Sequence, residues 1–330
     1  MSVTEAPAAE TAVASPAASA TSTESTESAT STESRESSKR FVSSIAEINE
    51  VRFSEPERIT ELLAARRRGT IAGGDGRLMI VACDHPARGA LGASGNPMAM
   101  ASRTELLDRL TTALARPGVD GVLATADIAE DLLLLGALEG KLVFSSINRG
   151  GLQGSAFEID DRTTGYDVQG TIDAGFDGAK MLTRIDLDDP ATVVTLESQA
   201  KIVTELNRAR LIAMVEPFLS KRVNGKIVND LSPDAVIKSI AIAQGLGSAS
   251  AYTWMKLPVV AEMERVMAAT TLPTLLLGGD PDGDPDETYA AWQAALALPS
   301  VRGLVVGRTM LYPADDDVAK AVDTAVSLVR

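Results

Sequence analysis

The segment Tyr252-Thr253-Trp254-Met255-Lys256-Leu257-Pro258 is a short apolar run that encloses a lysine, and it is one of eight such runs along the chain. Each run is continuous, rich in aliphatic residues and bounded by polar or glycine-rich sequence, which is typical of a parallel β-strand covered on both faces. In chain order the runs are Leu78 to Cys83, Gly121 to Ala126, Leu142 to Ser146, Ala179 to Thr183, Leu211 to Val215, Thr253 to Leu257, Thr274 to Leu277 and Gly303 to Val306.

Segments with helical periodicity alternate with these runs. They are Glu55 to Arg68 before the first run, then Arg103 to Arg116, Ala191 to Ala209, Pro233 to Leu246, Asp286 to Leu298 and Asp315 to Val329. Eight strand–helix units in about 260 residues predict an α/β fold, a (β/α)8 TIM barrel with an extra N-terminal helix. The alternative is an open doubly wound sheet. It is disfavoured because the first run continues into Asp84-His85-Pro86 rather than into a G-x-G-x-x-G motif.

The first 40 residues differ in composition from the rest of the chain. They contain 17 Ser or Thr and 9 Ala, with very few large apolar side chains. Such a segment cannot bury enough surface to offset the entropy lost on ordering. We therefore expect residues 1–40 to be a disordered low-complexity tail and residues 41–330 to form a single barrel domain. The tail does not resemble a secretory signal and no run is long enough to span a membrane, so we expect a soluble cytoplasmic protein.

Charge and cysteine content narrow the possible partners. The formal net charge is −14, which disfavours binding to nucleic acid or to an anionic membrane. The single cysteine, Cys83, precludes an internal disulfide, and with a single histidine, His85, it leaves little material for a zinc site. We expect no cofactor and no resident metal, although calcium or magnesium held by carboxylates stays open.

Polar residues follow the first five runs at the point where each run ends. In a TIM barrel this is the edge that carries the functional site. The residues are Asp84, Asp127, Asn148, Arg184 with Asp186, and Glu216. They predict a polar site at the carboxyl ends of the strands.

The last two runs end in glycine-containing pairs, Gly278-Gly279 and Gly307-Arg308. Glycines let backbone N–H groups approach a ligand closely, and an arginine adds positive charge. TIM barrels often hold phosphate at these two loops. We therefore predict that these four residues, together with Arg184, bind the phosphate of the substrate.

An acidic loop, residues 280–286, follows the first of these pairs and contains four aspartates. Such charges would repel a phosphate unless they point away from it. We expect them to cap and start the following helix rather than to bind a cation.

Of the nine lysines, only Lys180 and Lys256 lie inside the apolar runs. Strand alternation puts Lys180 on one face with Arg184 and Lys256 on one face with Trp254, so inward-facing strands would bring both lysines into the barrel. Burial lowers the pKa of a lysine, and the neutral amine is a nucleophile that can form a Schiff base. The alternatives are a structural amine paired with a carboxylate and a lysine whose charged end reaches solvent.

The order Asp84, Lys180, Glu216 and Lys256 along the strands resembles that of the class I aldolases with a TIM barrel. This group includes deoxyribose-phosphate aldolase, tagatose-bisphosphate aldolase and the archaeal-type fructose-bisphosphate aldolases. The chain is most similar to an actinobacterial branch of aldolase-like proteins associated with inositol breakdown. The resemblance covers about residues 50 to 330. It implies that Lys256 on the sixth strand is the Schiff-base lysine. The tagatose-bisphosphate branch also carries a lysine on the fourth strand and a glutamate on the fifth, which correspond to Lys180 and Glu216.

The residues and the resemblance together predict an aldehyde-lyase, a class I aldolase that cleaves or forms a carbon–carbon bond in a phosphorylated sugar or sugar acid. Lys256, Lys180, Asp84 and Glu216 are the predicted catalytic residues. The resemblance favours 2-deoxy-5-keto-gluconate 6-phosphate as substrate, then deoxyribose 5-phosphate or a ketose bisphosphate, and it implies a homo-oligomer. Two alternatives stay open: a metal-dependent lyase or isomerase that uses carboxylates such as Asp127 and Asp186, and a non-catalytic sugar-phosphate-binding protein.

Overall fold

The computed structural model describes residues 41–71, 75–278 and 284–330. The predicted tail, residues 1–40, lies outside the described residues. Two helices precede the first strand, α1 (Ile45–Ser54) and α2 (Glu57–Ala65). The second corresponds to the helix predicted over Glu55 to Arg68, while the first was not predicted. Pro56 separates the two helices, because a residue before proline is pushed out of the helical region.

Within the described residues, eight parallel strands form a closed barrel. They are β1 (Leu78–Cys83), β2 (Gly121–Ala124), β3 (Leu142–Ser146), β4 (Gly178–Ile185), β5 (Ile212–Val223), β7 (Thr253–Leu257), β8 (Thr274–Leu277) and β9 (Val301–Val306). The strands pair in this order, β9 pairs with β1, and β4 pairs with β5 as well as with β3, so that the ring is complete. The predicted TIM barrel is therefore confirmed.

The remaining helices cover the barrel. They are α3 (Arg103–Ala115), α4 (Ala126–Leu134), α5 (Val168–Asp173), α6 (Ala191–Ala209), α7 (Pro233–Ala243), α8 (Met263–Met267), α9 (Pro285–Leu296), α10 (Arg308–Leu311) and α11 (Val318–Val329). In the ranges that the structure describes, no helix combines the length and the apolar character that crossing a membrane requires.

The ends of the second and fifth strands differ from the sequence-based expectation. The second strand ends at Ala124 rather than Ala126, because α4 begins at Ala126 directly after the extended residue Thr125. The fifth strand continues to Val223 and turns into an antiparallel partner, β6 (Lys226–Asn229), which lies outside the ring. The sequence did not predict this hairpin, because its paired residues, 220–223 and 226–229, are largely exposed and lack an apolar run.

Alternate residues of most barrel strands contribute to a buried core. Its members are Leu78, Ile80, Ala82, Leu123, Leu142, Phe144, Ile212, Met214, Leu275 and Val305, with Trp254 packed against them. The same alternation leads from Ala82 to Asp84, from Met214 to Glu216 and from Trp254 to Lys256. The barrel interior thus changes from apolar to charged at the carboxyl ends of the strands.

Candidate active site

Four charged side chains, all predicted as catalytic, meet at the carboxyl end of the barrel. The Nζ atom of Lys180 lies 3.1 Å from Oδ2 of Asp84 and 2.5 Å from Oε2 of Glu216. The Nζ atom of Lys256 lies 3.0 Å from Oε1 of Glu216. None of the four side chains is more than 10% exposed. They form one buried network, which we call the lysine–carboxylate cluster.

Strand register explains how the two lysines reach the same carboxylate. Lys180 on β4 is level with Met214 on β5, which is level with Trp254 on β7. Glu216 and Lys256 each lie two residues beyond that level, one pleat nearer the barrel mouth. Lys180 therefore begins lower in the barrel and extends upward, whereas Lys256 approaches Glu216 from its own level.

The lysines keep both carboxylates ionised. Burial alone raises the pKa of Asp84, but the nearby positive charges, with Lys180 foremost, together outweigh burial and hold this pKa well below its usual range. Burial likewise raises the pKa of Glu216, and the charges of Lys180 and Lys256 reverse that effect and lower it. Both groups are therefore carboxylates at neutral pH, able to accept protons.

Lys256 is a buried lysine whose proton is more easily lost than that of an ordinary lysine. Burial lowers its pKa, the charge of Glu216 opposes this shift, and the charge of Lys180 adds to it. Among the described residues, Lys256 pairs with one carboxylate, whereas Lys180 pairs with two. A lowered pKa increases the fraction of neutral amine, which is the form that attacks a carbonyl.

Ser146, the last residue of β3, also belongs to the cluster. Its Oγ donates a hydrogen bond of 2.9 Å to Oδ2 of Asp84, the same oxygen that accepts from Lys180. The serine is fully buried. Sequence reasoning did not single it out, although a polar residue that closes an apolar run at the functional edge of a barrel was an available signal.

His85, next to Asp84, is held neutral. Its Nδ1 lies 3.9 Å from Oδ1 of Asp84, and 27% of its side chain is exposed. Desolvation nevertheless lowers the pKa of His85 to about 3. We therefore treat it as an uncharged neighbour of the cluster.

Arg184 lies outside the lysine–carboxylate cluster. It pairs with the carboxylate of Glu158 and donates hydrogen bonds to the carbonyls of Gly151 at 3.1 Å and Glu158 at 2.9 Å. Arg88 similarly contacts Oδ2 of Asp161 at 2.5 Å. These bonds fix the long segment between β3 and α5. The structure thus places Arg184 in a loop-supporting network, and its predicted contact with substrate stays a prediction.

The predicted phosphate-binding residues lie at neighbouring strand ends. Gly278 follows β8, Gly307 follows β9, and Arg308 begins α10 and donates to the carbonyl of Gly92 at 3.2 Å. A Cβ atom at position 307 would lie 2.2 Å from the carbonyl oxygen of Ala82. The close approach to β1 is therefore enough to explain why this residue is a glycine. Gly279 lies outside the described residues. Phosphate binding therefore stays a prediction.

The end of the acidic loop caps a helix, as expected. The carboxylate of Asp284 accepts a hydrogen bond of 2.9 Å from the backbone N–H of Asp286 at the start of α9. The aspartates at positions 280 and 282 lie outside the described residues.

The carboxylates named for the metal-dependent alternative are engaged elsewhere. Asp127 pairs with Arg103 and accepts a hydrogen bond of 2.5 Å from Thr125. The carboxylate of Asp186 accepts a hydrogen bond of 3.1 Å from the backbone N–H of Asp188. Across the described part of the chain, no group of three or more His, Cys, Asp or Glu side chains is arranged to hold a metal ion.

Comparison with known proteins assigns the family. A family model described as Cgl0159-like matches residues 76–326, well over half of the chain. The chain belongs to the Cgl0159-like family. A crystal structure of Cgl0159 from Corynebacterium glutamicum is 59% identical to it, over 86% of this chain and 96% of that one, with a TM-score of 0.84. A search of the curated proteins gave no match.

More distant structures share the barrel of this Cgl0159-like protein. A Schiff-base-forming fructose-1,6-bisphosphate aldolase is 20% identical over 82% of this chain and 100% of that one, with a TM-score of 0.57. An archaeal fructose 1,6-bisphosphate aldolase is 20% identical over 82% of this chain and 98% of that one, with a TM-score of 0.56. At this identity, the comparison supports a common fold.

Proposed function

We propose that this Cgl0159-like protein is a class I aldolase in which Lys256 forms a Schiff base with a phosphorylated sugar or sugar acid. The observation that carries the proposal is the contact between Lys256, whose pKa is lowered, and Glu216, which also holds Lys180. The cluster lies at the barrel mouth, where TIM-barrel enzymes place their catalytic groups. A shared buried carboxylate between two lysines supports proton exchange as well as charge balance.

Schiff-base formation begins with attack by the neutral Nζ of Lys256 on the substrate carbonyl carbon. The new carbon–nitrogen bond gives a carbinolamine, and the nitrogen passes a proton to the former carbonyl oxygen. A second proton on that oxygen lets it leave as water, and an iminium ion remains. Glu216 contacts both lysine nitrogens and is placed to carry these protons.

Cleavage uses the iminium ion as an electron acceptor. A carboxylate of the cluster removes the proton of the hydroxyl on the second carbon from the iminium carbon. The carbon–carbon bond breaks, the hydroxyl-bearing fragment leaves as an aldehyde, and the electron pair forms an enamine. Protonation of the enamine carbon and addition of water release the ketone and restore Lys256. Lys180, Asp84 and Glu216 share these proton transfers in our proposal.

The phosphate lies, in this proposal, against Gly278, Gly279, Gly307 and Arg308. Their strands β8 and β9 follow β7, which carries Lys256, in the ring. The favoured substrate is 2-deoxy-5-keto-gluconate 6-phosphate, followed by deoxyribose 5-phosphate or a ketose bisphosphate. We further propose that the protein works in the cytoplasm, in inositol catabolism, as a homo-oligomer.

Turnover of candidate sugar phosphates by Lys256→Ala tests the proposal. We expect kcat to fall by at least about 10³-fold, because no other group replaces the nucleophile. The matched control is Lys201→Ala, which removes an exposed lysine on α6 that pairs with Glu197. Circular dichroism checks that both variants are folded. Near-normal turnover by folded Lys256→Ala would contradict the proposal, and loss of wild-type activity with a chelator would favour a metal-dependent lyase.

A further inference from the structure

Arg149 is a buried arginine whose guanidinium is not satisfied by the protein. It follows β3 at the barrel mouth and is only 6% exposed. Its Nε, Nη1 and Nη2 atoms have no hydrogen-bond partner among the residues that the structure describes. Arg88 and Arg184, which are also buried, each bond to a carboxylate and to backbone carbonyls. A buried charge without such partners is costly, so Arg149 is available to bond directly to an anion, a contact that the described residues do not provide.

The backbone around Arg149 holds its side chain in place. A Cβ atom at Gly165 would lie 3.1 Å from Cγ of Arg149 and 2.5 Å from the carbonyl oxygen of Ser146, so the returning loop packs against the arginine stem. The N–H of Gly165 donates to the carbonyl of Ile147 at 2.8 Å, which fixes this contact. A side chain ordered before binding loses less conformational entropy when a ligand arrives.

Arg149 lies near the lysine–carboxylate cluster. Burial lowers its pKa, and Asp84 is the foremost of the charges that oppose this shift, so the two groups are near each other. In the ring, three strands separate β3 from β8 in either direction, so Arg149 and Gly278 lie on opposite sides of the mouth. The cluster lies between these two sides.

We infer that Arg149 binds an anionic group of the substrate, a carboxylate or a phosphate, on the side of the mouth opposite the end of β8. The planar guanidinium suits such groups because it can donate two parallel hydrogen bonds. The inference rests on the proposed aldolase function and specifies its substrate class. A substrate with an anion at each end fits this site, which favours a phosphorylated sugar acid or a ketose bisphosphate over deoxyribose 5-phosphate, whose single anion leaves Arg149 unpaired.

The test is carbon–carbon bond formation with dihydroxyacetone phosphate and three aldehydes. Glyceraldehyde is neutral, glyceraldehyde 3-phosphate carries a phosphate, and 3-oxopropanoate carries a carboxylate. We expect the ratio of kcat/KM for an anionic aldehyde to that for glyceraldehyde to fall by about 100-fold in Arg149→Met, since a charge-assisted bond is lost. The anionic aldehyde that loses more identifies the group bound. An unchanged ratio in Arg149→Met would overturn the inference.

Two further measurements keep the outcome interpretable. Arg302→Met is the matched control, because Arg302 is exposed near the opposite end of β9, and its ratio should not change. Arg149→Met should melt at the wild-type temperature or above, because an unpaired buried charge is removed, and a marked drop would instead indicate a structural role. Borohydride trapping of dihydroxyacetone phosphate on Lys256 separates the two proposals. An adduct with an unchanged ratio overturns only the anion site, whereas no adduct overturns the proposed function and this inference with it.

Discussion

Replacing Lys180 with methionine removes the ammonium that joins the two carboxylates of the cluster while keeping a side chain of similar length. Its Nζ lies 3.1 Å from Asp84 Oδ2 and 2.5 Å from Glu216 Oε2. Glu216 would keep Lys256 at 3.0 Å. Asp84 would keep the Ser146 hydroxyl at 2.9 Å but no ammonium in contact. The variant therefore leaves one buried carboxylate without a cation in direct contact.

The expected cost follows from that leftover charge. The Asp84 side chain is only 4% exposed, so water cannot replace the lost partner. Removing one member of a buried ion pair typically costs about 3–5 kcal/mol in free energy of unfolding. For a domain of about this size, each kcal/mol changes the melting temperature by roughly 2–4 °C, so the melting temperature should fall by about 6–20 °C.

Urea unfolding at pH 7, followed by tryptophan fluorescence, measures this loss. Adding Asp84→Asn to Lys180→Met should restore about half of the lost free energy of unfolding, because the amide carries no charge.

The loss should also depend on pH. The pKa of Asp84 is lowered in the wild type, so the stabilising contribution of this carboxylate is present above its ordinary pKa of about 4 and is lost as pH falls below that value. Without Lys180 the pKa of Asp84 rises relative to the wild type, so Asp84 is protonated at a higher pH, and the difference between variant and wild type should shrink as pH falls towards 4. A loss below about 1 kcal/mol at pH 7 would refute the reasoning.

Two further predictions concern catalysis. Ser146→Ala should lower kcat by about tenfold and the free energy of unfolding by about 1 kcal/mol, because one hydrogen bond to Asp84 is lost. Steady-state kinetics measure the change in kcat, with the exposed Ser327→Ala as the control. An unchanged kcat would contradict a role for Ser146. The pH profile of kcat/KM should rise with pH through a midpoint below the ordinary lysine value of about 10.4, since burial lowers the pKa of Lys256 and its neutral form reacts. A midpoint at or above that value would contradict the assignment.

The barrel and the placement of its charged residues were predictable because local patterns carry them. Continuous apolar runs predict buried parallel strands, and the two-residue period predicts that Lys180 and Lys256 enter the barrel if the faces that carry them point inward. A closed parallel barrel brings all carboxyl strand ends to one edge, which is why Asp84 and Glu216, far apart in the chain, meet the lysines.

What the sequence did not predict depends on register and on loop paths. The partner of Arg184 is Glu158, in a loop whose course is set by tertiary contacts with Arg88 and Asp161 rather than by local pattern. Helix α4 begins directly after β2, so no polar loop marks the change from strand to helix. The unsatisfied guanidinium of Arg149 is visible only once its neighbours are in place.

Intact-mass analysis and peptide mapping after borohydride reduction with dihydroxyacetone phosphate test the central claim most directly. Reduction converts an iminium into a stable amine, so the modified lysine can be located in the sequence. The account predicts one adduct per chain, on Lys256, and none on the Lys256→Ala variant. An adduct on Lys180 would exchange the roles of the two lysines, and no adduct on folded protein with this or any candidate sugar phosphate would contradict the Schiff-base mechanism.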